Sequence, residues 1–119
     1  MKRDWDVIRA VLLEIEESDE SNISNLRYDS DAGDTVKAFH AFMLQDAGMI
    51  SGKSNAHQKT LTRVLLTPKL TWEGRELLDT LRSKPLWEKM KAKAASTGIE
   101  ITFDSLKALA KWALGQMLA

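Results

Sequence analysis

The chain lacks cysteine altogether and has no long apolar run among its 119 residues. Without thiols it cannot build a disulfide framework, a thiolate nucleophile or a cysteine-based zinc site, so nothing indicates a small secreted scaffold. The longest apolar run near the N-terminus is Val11-Leu12-Leu13, which follows Asp4 and Asp6 and is interrupted by further acidic residues. We therefore expect an intracellular protein with neither a signal peptide nor a membrane span.

Groups that bind metals or carry out catalysis are also scarce. The histidines are His40 and His57, and no acidic residue stands at a spacing that would complete a metal site with either. The acidic positions from Glu14 to Glu20 point in several directions on a helix and indicate a solvated helix end rather than a carboxylate pair. No glycine-rich phosphate loop or nucleophile elbow is present. We expect no catalytic residue, no metal and no cofactor, which makes an enzyme the least supported class.

The net charge is zero, yet the charges are spread unevenly along the chain. Residues 1–34 hold four Lys or Arg against ten Asp or Glu, residues 35–70 hold five against one, and residues 71–119 hold eight against six. The middle segment is thus the cationic part, and a cationic surface attracts phosphate backbones and releases their counterions. The alternative is a solvated surface loop that carries a few lysines.

That middle segment has the order of a helix end, two strands around a basic loop, and a new helix start. Gly48 can take the left-handed conformation that stops a helix, and Thr71 is a good N-cap for the helix that follows. Between them we predict antiparallel pairing of residues 49–52 with residues 62–66, with Lys53 to Thr60 as the loop at the tip. This arrangement is typical of the wing of a winged helix-turn-helix.

The remaining chain is mainly helical by its apolar periodicity and capping residues. We predict helices over residues 5–17, 34–47 and 72–82, a short strand over residues 23–28, a helix that begins at Ser83 and Pro85 and ends at Gly98, and a last helix capped by Thr102. The fold class is therefore mainly α with a small β-hairpin. A winged helix-turn-helix-like domain is expected over residues 1–82, with a C-terminal helical extension over residues 83–119 packed on it.

The residues on the solvent-facing side of the second helix determine what that helix could contact. Placing Val36, His40, Met43 and Ala47 inward predicts a buried His40 that is hydrogen-bonded to a neighbouring backbone group, and it leaves Ala38, Ala41 and Gln45 outward with Lys37 and Phe42 on the flanks. Such a face has few groups that can read bases. Only Lys37 and Gln45 could contact bases directly. We therefore predict DNA contacts that lean on phosphates, through Lys37, Lys53, His57, Lys59, Arg63 and Lys69. An exposed Phe42 between alanines instead favours a protein contact.

The last helix is apolar over most of its circumference, with one polar stripe of Asp104, Lys107 and Lys111. Such a helix must be covered from more than one direction, either by the domain core or by a second subunit. We predict a homodimer with Leu109, Trp112 and Met117 in the contact. The four tryptophans all stand at helical positions among other apolar residues, so each is predicted to pack in the core.

Several motifs together resemble a known family. These are Met1-Lys2-Arg3-Asp4 before an apolar helix, His40, Ala47-Gly48-Met49-Ile50, Leu70-Thr71-Trp72-Glu73-Gly74 and a helix containing Trp87. In this order they resemble small uncharacterised phage and prophage proteins classed as a domain of unknown function. The resemblance implies a bacterial or phage origin and a cytoplasmic protein. The Ala-Gly-x-Ile and Leu-Thr-x-x-Gly pair is also similar to small winged-helix repressors, but a strand-like segment and an acidic loop stand where those repressors carry a further helix.

Two functions follow as expectations. The first is a phage- or prophage-type DNA-binding accessory protein or transcriptional regulator, which docks its second helix and wing on duplex DNA. The second is a protein-interaction module that keeps the winged-helix scaffold and contacts a host or phage protein through the surface around Phe42. No membrane partner is expected.

Overall fold

The structure is a computed structural model that describes residues 2–20, 25–57 and 62–118. Within these ranges the elements are α1 Trp5–Glu20, β1 Arg27–Asp29, α2 Thr35–Asp46, β2 Ile50–His57, β3 Thr62–Leu70, α3 Trp72–Leu81, α4 Lys84–Thr97 and α5 Phe103–Leu118. The protein is thus mainly helical with a small antiparallel sheet, which confirms the coarse fold prediction. The chain divides into two compact units, residues 1–77 and residues 78–119.

The sheet has three strands in the order β1-β3-β2, and both pairings are antiparallel. An antiparallel hairpin is confirmed in this segment, but the predicted pairing of residues 49–52 with residues 62–66 is wrong. Ile50 pairs with Leu70 and Ser51 with Lys69 at its base, and residues 62–66 pair with residues 53–57. Residues 53–57, predicted as part of the tip loop, are strand, because each finds a backbone partner on β3. Residues 58–60 of that loop lie outside the described residues.

The first strand is shorter and later than predicted. It covers Arg27–Asp29, where pairing with residues 64–66 of β3 fixes its position, and Tyr28 lies opposite Leu65. Both side chains are buried, at 4% and 0% exposure, so they mark the face of the sheet that packs on the core. The first two residues of the predicted strand, Ile23 and Ser24, lie outside the described residues.

The first helix buries the apolar stripe that its periodicity predicts. Asp4 caps it, since its Oδ1 accepts the backbone N–H of Asp6 at 2.9 Å. The buried residues are Trp5, Ile8, Val11, Leu12 and Ile15. This stripe recurs at three- and four-residue spacing, so the helix turns one continuous apolar face toward the core.

The second helix begins after the Asp34 cap, as predicted, but much of its inward face was assigned wrongly. Ala38, Ala41 and Phe42 are buried, whereas Val36 is 41% exposed and Ala47 is also exposed. The helix contacts α1 as well as β1 and β2, so it is covered on two sides. The small side chains of Ala38 and Ala41 permit close approach of the neighbouring elements, and a projection of one inward face does not capture burial from two sides.

His40 is fully buried and hydrogen-bonded to backbone, as predicted. Its Nε2 accepts the N–H of Asp4 at 2.8 Å, so Nδ1 carries the hydrogen and donates to the carbonyl of Val36 at 2.7 Å. The imidazole thereby links the start of α1 to the first turn of α2. Both ring nitrogens are satisfied, which is what burial of a polar side chain requires.

The caps of the later helices are confirmed. Ser83 accepts the N–H of Leu86, Gly98 ends α4 in the left-handed conformation, and Thr102 accepts the N–H of Ser105. Trp5 and Trp87 are buried, as predicted. Trp72 is 75% exposed, contrary to its predicted core position, because it begins α3 and its indole N–H donates to Glu76 on the same helix.

The base of the hairpin is closed by Thr71. Its N–H donates to the carbonyl of Met49 at 3.1 Å, and its Oγ1 accepts the N–H of Gly74 at 3.1 Å. Gly74 in turn has no room for a side chain, because a Cβ at that position would overlap the carbonyl oxygen of Met49. Glycine is therefore required here by space rather than by backbone conformation.

Replacement of glycine by alanine should have opposite effects on stability at Gly74 and at Gly115, which both lie in helices. Gly74→Ala should lower the free energy of unfolding by about 2–3 kcal/mol, because backbone must shift to admit the methyl group. Gly115→Ala in α5, where a Cβ meets nothing within 4 Å, should raise it by about 0.5–1 kcal/mol through helix propensity. Urea unfolding of both variants measures the two changes, and a stabilising Gly74→Ala would contradict the described contact.

Candidate nucleic-acid interface

The three-stranded sheet has one face that the helices of unit 1 do not use. Leu65 and Tyr28 define the inner face, and the hydroxyl of Tyr28 and the guanidinium of Arg63 reach α1 and α2 from that side. Strand side chains alternate between faces, so the residues between them point to the other side. We name this other side the outer sheet face, formed by Arg27, Asp29, Ser51, Lys53, Asn55, Val64, Leu66 and Lys69.

The register arranges these side chains in rows across the strands. Leu66 lies between Arg27 and Lys53, and Val64 lies between Asp29 and Asn55. Val64 and Leu66 are only partly buried, so the middle of the face is apolar and accessible. Its β2 side therefore presents an ammonium and an amide beside an apolar centre.

The edge strand β2 is the most exposed part of this face. Ser51 to Asn55 are exposed at every position, and no Asp or Glu occurs between residues 47 and 72. Among the described residues, Lys53 has no ion-pair partner, and Lys69 has only a long contact of 4.0 Å with Asp19. The hairpin thus keeps positive charge at its surface.

Three residues predicted to touch DNA are instead held within the protein. Lys37 pairs with Glu14 at 2.9 Å, and Arg63 pairs with Asp46 at 2.9 Å and donates to Gln45 at 2.7 Å. The structure therefore brings Gln45 and Arg63 together, but as hydrogen-bond partners of each other. Glu14, from another segment, neutralises Lys37, and Asp46, the one acidic residue of the cationic segment itself, neutralises Arg63, so the local charge count did not show which cations stay unpaired.

Phe42 is not an exposed contact surface. It is 8% exposed, and the guanidinium of Arg63 lies 4.7 Å from the centre of its ring. The prediction that Phe42 is exposed is wrong, because Arg63 of the hairpin covers its ring. Of the other predicted site residues, His57 lies in β2 opposite Thr62, and Lys59 lies outside the described residues.

A polar network behind the sheet was not predicted. Glu14 accepts the hydroxyl of Tyr28 at 2.8 Å and the ammonium of Lys37 at 2.9 Å. Burial and the hydrogen bond to Glu14 raise the pKa of Tyr28 well above its ordinary value, and the hydrogen bond to Glu14 also raises the pKa of Lys37. The signal in the sequence was the position of the sole tyrosine on the core side of a strand, where its hydroxyl needs a partner.

In unit 2, the residues predicted for self-association divide into two groups. Leu109 is 4% exposed and packs inside the unit, so it is unavailable to a second subunit. Met117 is 48% exposed, and Trp112 is 38% exposed beneath the ammonium of Lys93 at 4.9 Å. Leu114 and Leu118 are exposed as well. Beside Trp112 is a pocket of about 190 Å³, lined by Lys93, Ile99, Ser105, Ala108, Leu109 and Trp112.

The described part of the chain contains no group of three or more side chains that could hold a metal ion. Within the same residues, every helix is too short or too polar to cross a membrane.

These features define a mainly helical protein with a small three-stranded sheet whose outer face is exposed. The chain belongs to the family described as "Hypothetical protein (DUF2513)", which matches residues 2–100. It is 35% identical over 124 residues to an "Uncharacterized protein" of Haemophilus influenzae, with all of both chains covered. No solved structure matches the chain significantly.

The hydrogen bonds around Glu14 predict that the protein unfolds at alkaline pH and that ionisation of Tyr28 reports this unfolding. Because the folded pKa of Tyr28 lies above its unfolded value of about 10, the stability that the neutral phenol contributes is present below that pH and is lost as the pH rises further. Tyrosinate absorbance should therefore increase only together with unfolding, and Glu14→Gln should lower the pKa of the phenol. Ionisation of Tyr28 near pH 10 in the folded protein would contradict the network.

Proposed function

We propose that this protein binds duplex DNA through its outer sheet face. The observation that carries the proposal is the exposed, acid-free edge strand β2, with Lys53 at its centre. Lys69 adds a second cation, which has only a long contact of 4.0 Å with Asp19. Arg27 and Asp29, the one acidic residue of the face, are paired at 2.9 Å and offset each other. Cations in such a row attract phosphates and release counterions on contact.

The proposal moves the contact from α2 to the sheet. Lys37, Gln45 and Arg63 would have to leave Glu14 and Asp46 before they could bind DNA, and each separation would leave a carboxylate unpaired. Lys53 needs no such rearrangement. The exposed hydroxyl of Ser51 can donate a hydrogen bond to a phosphate oxygen beside it.

We also infer a winged-helix relationship and a regulatory role. A helix, a strand, a helix and then a long hairpin follow one another in unit 1, and β1 pairs with the second strand of the hairpin. Between β1 and β2 lies one helix, where a helix-turn-helix needs two, so a recognition helix is missing from its usual place. A role as a phage- or prophage-derived accessory protein or regulator fits a small DNA-binding domain of this kind.

A salt titration tests the proposal. Binding to random duplex DNA should weaken as salt rises, and Lys53→Ala/Lys69→Ala should lower the salt slope by about 2 units, since each phosphate contact contributes about 0.9. The matched control, Lys84→Ala/Lys107→Ala, removes two exposed cations from unit 2 and should leave the slope unchanged. Both variants should keep their stability, because exposed charges contribute little. Absence of binding by the unmodified protein at about 50 mM salt would refute DNA binding.

A second candidate function, protein contact, is favoured by a specific observation on α5. Leu114, Met117 and Leu118 are 50%, 48% and 79% exposed, although such side chains are usually covered in a monomer. We infer that a second copy of the chain covers them. Leu114 and Leu118 are four residues apart and share one side of the helix, so two such helices could pack around a two-fold axis.

The oligomeric state in solution tests this contact. Light scattering over a range of protein concentrations should report a dimer for the unmodified chain and a monomer for Leu118→Glu, because the interface would have to bury a charge. Gln116→Glu is the matched control, since it adds the same charge at an exposed position two residues away. A monomeric unmodified protein at high micromolar concentration would exclude self-association through α5.

A further inference from the structure

We propose that Asn55 and Val64 together read A·T base pairs from the major groove, an inference that rests on the proposed DNA binding. The two residues lie directly opposite each other in the β2–β3 register, and both belong to the outer sheet face. Residues so paired have Cβ atoms about 4.5–5.5 Å apart. Asn55 is exposed and Val64 is partly exposed, so an amide and an apolar group are presented as neighbours.

Such a pair matches what an A·T base pair shows in the major groove. Adenine offers an acceptor at N7 and a donor at N6, which an asparagine amide can bind in a bidentate manner. Thymine of the same pair offers its C5-methyl group, which suits contact with an apolar side chain. The minor groove has no methyl group and shows only acceptors at A·T pairs, so Val64 would have no counterpart there.

The position of Asn55 on the edge strand suits this placement. The major groove is about 12 Å wide, and because Asp29 of β1 pairs with Val64 on its other side, the β2 edge of the three-stranded sheet is the part that would enter the groove. Lys53 lies two residues from Asn55 on the same strand and face, or about 7 Å along it, and it therefore reaches a neighbouring phosphate. Asp29 stands on the far side of Val64 and repels phosphate there, so β2 is the side that faces the DNA.

Competing elements do not offer the same chemistry. On the other face of β2, Ser54 lies opposite the buried Leu65, so it has no exposed apolar neighbour across the strand pair. In the next row of the outer face, Leu66 pairs with Lys53, whose point charge favours phosphate or guanine over adenine. Of these three described rows, the Asn55–Val64 row alone combines an exposed amide with an accessible apolar side chain.

Modified duplexes test the inference without altering the protein. Fluorescence anisotropy compares equal-length duplexes built from A·T, G·C, A·U, 7-deazaadenine·T and inosine·C pairs. A·T should bind about tenfold more tightly than G·C, a factor within the range of one bidentate base contact. Loss of the thymine methyl group in A·U and loss of N7 in 7-deazaadenine should each remove part of that preference. Inosine·C imitates A·T in the minor groove, so it should bind like G·C.

Protein variants then assign the preference to residues. Asn55→Ala should abolish discrimination between A·T and G·C while keeping the salt slope, and Lys53→Ala should weaken all duplexes equally. Ser54→Ala is the control on the neighbouring position. Equal binding to all duplexes, or inosine·C binding as tightly as A·T, would overturn base reading by Asn55 and Val64 but leave DNA binding intact. Failure to bind any duplex at about 50 mM salt would overturn both proposals.

Discussion

The hydrogen bonds of Thr71 hold together the base of the hairpin formed by β2 and β3, and the rest of the sheet depends on them. Its N–H donates to the carbonyl of Met49, its hydroxyl lies 2.7 Å from the carbonyl oxygen of Gly48, and the same hydroxyl accepts the N–H of Gly74. One side chain therefore joins the end of α2, the base of the hairpin and the start of α3. Since the two ends of the hairpin are fixed, the pairing of β2 with β3 is fixed as well.

Register decides which side chains form the outer sheet face, because a slip of one residue would exchange the two faces. A bulge lies on β3, where Thr67 and Pro68 stand between Leu66 and Lys69, while Gly52 alone stands between their partners on β2. The extra residue adjusts the alternation of β3, so that Leu65 and Leu70 can both be buried. Thr67 takes the left-handed conformation with φ of 48°, and Gly52 lies close to the bulge, since a Cβ there would lie 2.9 Å from the carbonyl oxygen of Leu66. The strand β2 itself alternates regularly from the buried Ile50, which places Lys53 and Asn55 on the outer face.

Local signals in the sequence were sufficient for the helices, their caps and the hairpin, because capping and turn residues act over three or four positions. The faces of α2 were less predictable, since burial of Ala38 and Ala41 depends on elements that approach from two sides. Charge was the least predictable property of the site. The cationic balance of residues 35–70 suggested a basic surface, but Glu14, from a distant segment, neutralises Lys37, and Asp46 neutralises Arg63.

Because Lys37 and Arg63 are paired with carboxylates, few cations remain for DNA, and this affects how the two proposed functions would combine. In the proposed complex, a single outer sheet face offers Lys53 and Lys69 to phosphate, and so few contacts would give affinity that salt readily weakens. Association through α5 would place two faces in one particle, and binding of the second face would then be intramolecular. Dimerisation would therefore supply affinity that one hairpin lacks, while base reading by Asn55 and Val64 would supply the selectivity that phosphate contacts lack.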